Sequence, residues 1–335
     1  GAQLYCIAHV PAEDDRKDLA RTVVQTFFDT YAYERGWSVL KDSQQDAQSL
    51  ADALRADLFP AVTPDTVNDL LRRRRFVVLQ GPPGTGKTRL AELVRRTHFG
   101  GHGMTVQFHP AVTYEDFVVG LSPDTKEGAL RFDVRPGWLI EAAQQAAEGP
   151  FLLVIDEVNR ADLGKVLGEA IYLFEAGEIG GEKARRVRLP HPVNGENTFA
   201  LPENLYVLAT MNTADRSIAG MDLAVRRRFA FVTITPDRSV VAAVADKGLP
   251  LALEVFDKLQ DVFVEHAPDD ALVLLPGHSY FLAEDEAELR QRLKYELLPL
   301  LDEYLHEGFL GPCGAELQAV RNEVEDAVEA HGRKK

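Results

Sequence analysis

The chain has 335 residues, 45% of them hydrophobic, and a formal net charge of -15. That length supplies a large core, enough for two folded units plus flanking segments. So acidic a chain repels DNA phosphates, which excludes a broadly basic nucleic-acid binder and confines any DNA contact to a local patch or a partner.

Residues 1–62 come first and are the least legible. Leu19, Val23, Val24 and Phe27 recur at helical spacing, as do Leu50, Ala53, Leu54 and Leu58 before Pro60. A short helical segment, or the remnant of a larger domain, is expected there. From residue 63 the signals sharpen. Thr63 suits a helix N-cap, Pro64 the first helical position and Asp65 the positive helix end. Val67, Leu70 and Leu71 form an apolar face, and Arg72, Arg73, Arg74 and Arg75 close the helix as cations that complement its dipole.

Five short strands are predicted next, at 76–79, 105–108, 151–155, 205–210 and 229–234. All but the second are largely apolar, the pattern of parallel strands buried on both faces. Helical patterns separate them, so an α/β layer with right-handed crossovers is expected. Two insertions interrupt the alternation. Residues 118–134 contain Pro123, Asp124 and Gly128; residues 186–201 contain Asn194-Gly195, a hairpin turn signal. Both are read as β-hairpins added to the sheet domain. After Pro236 the strands stop, and residues 237–335 read as a small α-helical domain.

The loop after the first strand carries the strongest chemical signal. Residues 81–88, GPPGTGKT, fit G-x-x-x-x-G-K-[ST] between a predicted strand and a predicted helix. Glycines let the backbone wrap so that N–H groups face phosphate oxygens, and the helix N-terminus adds positive potential. Gly81, Pro82, Pro83, Gly84, Thr85, Gly86, Lys87 and Thr88 are therefore the candidate phosphate site. Lys87 would neutralise the β and γ phosphates and Thr88 would ligate Mg²⁺. An incidental glycine-rich turn would not need both flanking elements.

The strand 151–155 ends in Asp156 and Glu157. A buried strand that ends in two carboxylates needs a role for them, because unpaired buried carboxylates are costly. Asp156 suits Mg²⁺ and Glu157 suits the base that orients an attacking water. Together with the loop they predict a Mg²⁺-dependent nucleoside triphosphatase.

The strand 205–210 runs into MNTADRS. Asn212 and Asp215 have the N-x-x-D spacing with which GTP-binding switch proteins read guanine, but Thr213 stands where such proteins carry Lys. Ligands in such sheets sit at the carboxyl ends of the strands. That places Asn212 near a γ-phosphate, as a neutral amide that senses it. Arg226, Arg227 and Arg228 precede the last strand and can serve a neighbouring subunit's nucleotide; a solvated basic patch is the simpler alternative.

The residues now assembled resemble the McrB family of AAA+ proteins, the nucleotide-driven subunits of modification-dependent restriction systems. The likeness rests on GPPGTGKT, TYEDFVVGLSP (113–123), LLVIDEVNRADLGKVLGEA (152–170), MNTADRS with RRRF, GHSYF (277–281) and YELLPLLDEY (295–304), and covers roughly residues 65–310. It implies a P-loop αβα sandwich with a five-stranded parallel sheet, hairpin insertions shared with MoxR-like and dynein-type modules, and a helical lid. It further implies that Asn212 is sensor 1, that Asp215 and Arg216 complete the signature, and that Asn159 couples hydrolysis to a partner. Asp222 and Arg227 would act across a subunit interface. His278, in the lid, is read as a packing or hydrogen-bonding residue. The implied partners are further copies in a hexameric ring, a separate McrC-like endonuclease subunit, and DNA through that complex. The substrate is GTP or ATP, the cofactor Mg²⁺.

Residues 1–62 depart from the family, whose members commonly carry a DNA-recognition domain before the motor; no basic-aromatic surface is legible there. Other readings weighed are a MoxR-like chaperone that remodels protein clients, and a nucleotide-gated assembly module whose hydrolysis is incidental. Cys6 and Cys313 lie in unrelated segments and suggest neither a disulfide framework nor a metal site, so a reducing cytoplasm is expected. No apolar run is long enough for a bilayer and no secretory signal is visible, so no membrane role is expected.

Overall fold

The computed structural model describes residues 59–124, 131–214, 223–266, 271–308, 311 and 314–329. These lie almost wholly in one unit of the chain, Ala61–Lys335. The helical patterns expected before residue 58, both cysteines, and Asp215, Arg216 and Asp222 fall outside the described residues.

Helix α1 (Pro64–Arg74) starts as its sequence dictates: the Thr63 hydroxyl accepts a hydrogen bond from the Thr66 N–H, with Pro64 at the first position. Its Val67 and Leu71 are fully buried. Strand β1 (Phe76–Gly81) leads into helix α2 (Lys87–His98). Strands β2 (Gly103–Gln107), β5 (Phe151–Asp156), β8 (Leu205–Asn212) and β9 (Ala230–Thr233) join β1 in a parallel sheet of order β2-β5-β8-β1-β9.

The sheet is buried on both faces by alternation. Phe76, Val78, Leu153, Ile155, Val207 and Ala209 face one core. Val77, Leu79, Leu152, Val154, Tyr206 and Leu208 face the other. α1 and α2 cover the second core through Leu71, Ala91 and Val94. Helix α3 (Trp138–Gln145) covers the first through Leu139, Ile140 and Ala142. The result is the expected αβα sandwich. β2 begins two residues before the expected start and is buried only at Val106, because it is the edge strand beyond β5. That is why its sequence alternates.

Both insertions are antiparallel hairpins. β3 (Val119–Asp124) pairs with β4 (Arg131–Pro136), and β6 (Val187–Val193) pairs with β7 (Glu196–Phe199). Asn194 takes a left-handed φ of 51° and Gly195 one of 83°, the paired positive φ values of a tight hairpin turn.

A one-turn helix α4 (Leu223–Arg226) precedes β9. After β9 the described residues are helical: α5 (Arg238–Ala245), α6 (Pro250–His266), α7 (Glu286–Arg292), α8 (Leu298–His306) and α9 (Gly314–Glu329). Phe256 and Phe281 meet edge to face at 5.3 Å between centroids in the buried interior of this helical part. Among the described residues no helix is long and apolar enough to cross a membrane.

Candidate active site

The carboxyl ends of β1, β5 and β8 bring the expected residues together. The loop 81–88 joins β1 to α2, with Gly84 and Gly86 at φ values of 79° and 77°. A side chain rarely adopts these angles, so glycine is required for the wrap. Thr85 and Lys87 are buried. The Lys87 ammonium donates to the carbonyls of Gly81 at 2.9 Å and Pro82 at 2.7 Å. Burial pulls its pKa down to about 8, against the attraction of Glu157 and Asp156.

Asp156 ends β5. Its Oδ1 accepts from the Thr88 hydroxyl at 2.8 Å and from the Thr210 hydroxyl at 2.5 Å. Thr210 also accepts from the Glu157 N–H at 3.1 Å. Thr210 thus bridges the two acidic residues from the neighbouring strand, and it is 2% exposed. Glu157 sits at φ 55°, ψ 47°, left-handed space that a non-glycine residue enters only when its surroundings hold it there. Its carboxylate lies 3.6 Å from the Arg160 guanidinium.

Asn212 ends β8 directly across from Gly81 of β1. The following N–H, of Thr213, donates to the Gly81 carbonyl at 3.1 Å, which locks this strand end to the start of the loop. The Asn212 side-chain oxygen accepts from the Ala214 N–H at 3.2 Å. Its main-chain oxygen accepts from the Asn159 amide at 3.2 Å. Asn159 is buried, and among the described residues its own side-chain oxygen has no hydrogen-bond partner.

The three arginines differ. Arg226 stacks over Phe231 at 4.9 Å from the ring centroid. Arg228 donates to the Ala224 carbonyl, and burial, with Arg227 beside it, lowers its pKa from the ordinary value. Arg227 is exposed, and among the described residues its guanidinium makes no hydrogen bond or ion pair. Arg226 is exposed as well, but its guanidinium is engaged with the Phe231 ring.

Two features escaped sequence reasoning. Thr210 was legible only as the last residue of a strand; one polar residue closing an otherwise apolar run was the available signal. The other is the approach of GHSYF to the phosphate loop. The Gly277 N–H donates to the Pro83 carbonyl and the Ser279 N–H to the Gly84 carbonyl, each at 3.0 Å.

A phosphate loop after β1, an acidic strand end on β5 across the intervening β8 and a helical part in contact with the loop define a P-loop protein of the AAA+ type. Residues 76–229 match the family described as AAA domain (dynein-related subfamily), and residues 275–309 match that described as McrB, alpha-helical lid domain. The Type IV methyl-directed restriction enzyme EcoKMcrB subunit of Escherichia coli (strain K12) is 33% identical over 298 residues, 82% of this chain and 64% of that protein. The Type II restriction enzyme BsuMI component YdiS of Bacillus subtilis (strain 168) is 26% identical over 189 residues, 46% of this chain and 55% of that protein. The chain spans less than two-thirds of the length of either relative. It belongs to the McrB family of AAA+ proteins.

Proposed function

We propose that the chain is the nucleotide-hydrolysing, ring-forming subunit of a cytoplasmic restriction system and works with a separate McrC-like endonuclease subunit on DNA. In this reading residues 63–236 form the motor core, 237–335 the lid and 1–62 a helical segment. The observation that carries it is the hydrogen-bonded set Thr88–Asp156–Thr210–Glu157 beside the phosphate loop.

The donor set fits Mg²⁺. Thr88 and Asp156 offer hard oxygens 2.8 Å apart, one from the loop and one from the end of β5. This cation takes few protein ligands and fills its shell with phosphates and water. When bound, Mg²⁺ supplies charge that offsets what develops on the β and γ phosphates. Lys87 leaves the loop carbonyls and turns its ammonium to the phosphates. Glu157 accepts the proton of the attacking water as its oxygen bonds to the γ-phosphorus. The bridging oxygen–phosphorus bond breaks and a nucleoside diphosphate departs. Asn212 holds the γ-phosphate or the water, and Arg227 of an adjacent copy stabilises the charge in transit. Asp215, Arg216 and Asp222 complete the signature and the subunit contact, and Asn159 links the water-activating turn to the partner.

The test is phosphate release with GTP and ATP side by side, with and without a candidate nuclease subunit. Wild-type protein should hydrolyse at least one of them. Glu157→Gln should bind that nucleotide normally and turn it over roughly 10²–10⁴-fold more slowly. A Glu157→Gln protein that hydrolyses at the wild-type rate sinks the assignment.

A further inference from the structure

His278 stands at the phosphate loop but has no part in the chemistry above. Residues 277–281 form a clip that fastens the lid to the loop. The Gly277 and Ser279 N–H groups take the Pro83 and Gly84 carbonyls, which keeps those carbonyls turned away from the cradle. The approach is close enough to require glycine: a Cβ on Gly277 would lie 2.0 Å from the Gly84 carbonyl carbon. The clip leaves His278 little choice of position. Its Nδ1 accepts the Asp237 N–H at 3.2 Å. Asp237 is itself fixed, since it caps α5 through the Ser239 N–H at 2.9 Å.

A ring that accepts at Nδ1 carries its proton on Nε2 when neutral. Burial holds the ring below its ordinary pKa, Arg89 acting with burial and Asp237 against it. Nε2 lies 3.6 Å from where a Cβ on Gly86 would be, so the N–H stands beside the loop. Among the described residues it has no hydrogen-bond partner.

The sheet order says which end of a nucleotide it meets. The groups that would handle the γ-phosphate, Asp156, Glu157 and Asn212, belong to β5 and β8, on one side of β1. His278 is tied to the chain just after β9, on the other side of β1. A triphosphate laid along the loop with its γ-phosphate toward β5 and β8 brings its nucleoside end to His278. We propose that the His278 Nε2–H donates to an oxygen at the nucleoside end of the bound nucleotide, the α-phosphate or ribose, and so carries nucleotide affinity from the lid. This rests on the nucleotide-hydrolysing reading above.

The experiment is calorimetric titration of the full chain with GTP, GDP, ATP and ADP, with Lys87→Ala as the loop control. His278→Ala should weaken binding roughly tenfold, by the same factor for di- and triphosphate, because the contact does not involve the γ-phosphate. Two conservative variants separate binding from structure. Gln places an amide near the Nε2 position and should recover most of the affinity. Asn keeps only the acceptor for the Asp237 N–H and should not. The proposal is overturned if His278→Ala binds like wild type, if the loss is confined to triphosphates, or if Asn restores affinity and Gln does not. Should the wild type bind none of the four nucleotides, the nucleotide-hydrolysing reading falls, and this with it. Wild-type binding that Lys87→Ala abolishes and His278→Ala leaves intact overturns this inference alone.

Discussion

Thr210→Val isolates the bridge between the two acidic residues. Valine has nearly the shape of threonine, so no cavity opens, but the hydroxyl goes. Asp156 then loses a donor at 2.5 Å, and the Glu157 N–H loses an acceptor at 3.1 Å. A hydrogen bond to a charged group contributes roughly 1.5–3 kcal/mol, and an unsatisfied buried N–H costs about 1–3 kcal/mol. The two share one network and are not additive, so about 3 kcal/mol is expected. In a domain of this size that lowers the melting midpoint by roughly 6–12 °C. The effect on turnover should be larger than the stability loss suggests. Glu157 is held at φ 55° and the lost bond is at its own N–H, so a shift of the carboxylate by about 1 Å would slow hydrolysis roughly 100-fold. Phosphate release, nucleotide titration and thermal melts on the same preparations read these separately. Thr210→Ser keeps the hydroxyl and should stay near wild type in all three. Val hydrolysing at the wild-type rate, or Ser being as impaired as Val, refutes the bridge.

Arg227→Ala should keep nucleotide binding and assembly while turnover drops roughly 10³-fold or more. Mixing it with Glu157→Gln protein should restore activity, because each variant supplies the part the other lacks; two inactive preparations that stay inactive when mixed would mean Arg227 does not act in trans. Acid should loosen the protein through His278. Its folded pKa lies below the ordinary imidazole value of about 6.5, so the unfolded chain takes up the proton first. This contribution to stability is present above about pH 6.5 and is lost as pH falls through the folded pKa. Melting midpoints between pH 5.5 and 7.5 should therefore fall less steeply for His278→Gln than for wild type, and equal slopes would contradict the buried neutral ring.

The site was most legible where one short segment does the whole job. GPPGTGKT contains its own glycines, lysine and hydroxyl, and the structure needs only a strand before it and a helix after it to make it a cradle. FLLVID likewise announces a strand buried on both faces that ends in acid, and β8 next to β5 brings Asn212 to the same edge. At one point spacing and position along the chain pointed in different directions, and position decided the reading. N-x-x-D in MNTADRS matches a guanine reader, yet Asn212 sits opposite Gly81, at the start of the phosphate loop, with Thr213 bonded to that glycine's carbonyl. On the proposal made for His278, the nucleoside end of the cradle lies across β1 toward β9.

What stayed hidden depends on register between segments far apart in the chain. Thr210 matters because Ile155 pairs with Ala209, which sets the next residues of both strands, Asp156 and Thr210, within a hydrogen bond of one another. A slip of one residue would turn Thr210 to the other face and leave the Glu157 N–H bare. The lid clip is hidden in the same way. Gly277 reads as an ordinary loop glycine until its partner, Gly84, is known to lie against it, nearly two hundred residues earlier in the chain. Both contacts are made by backbone or by a small hydroxyl, groups that leave no charge or periodicity to detect. Both set the geometry of residues that do leave such a mark. A substitution at Thr210 or Gly277 should therefore resemble, in its effect on nucleotide handling, one at Glu157 or in the phosphate loop, although Thr210 belongs to no motif and GHSYF does not announce that its Gly277 meets the loop.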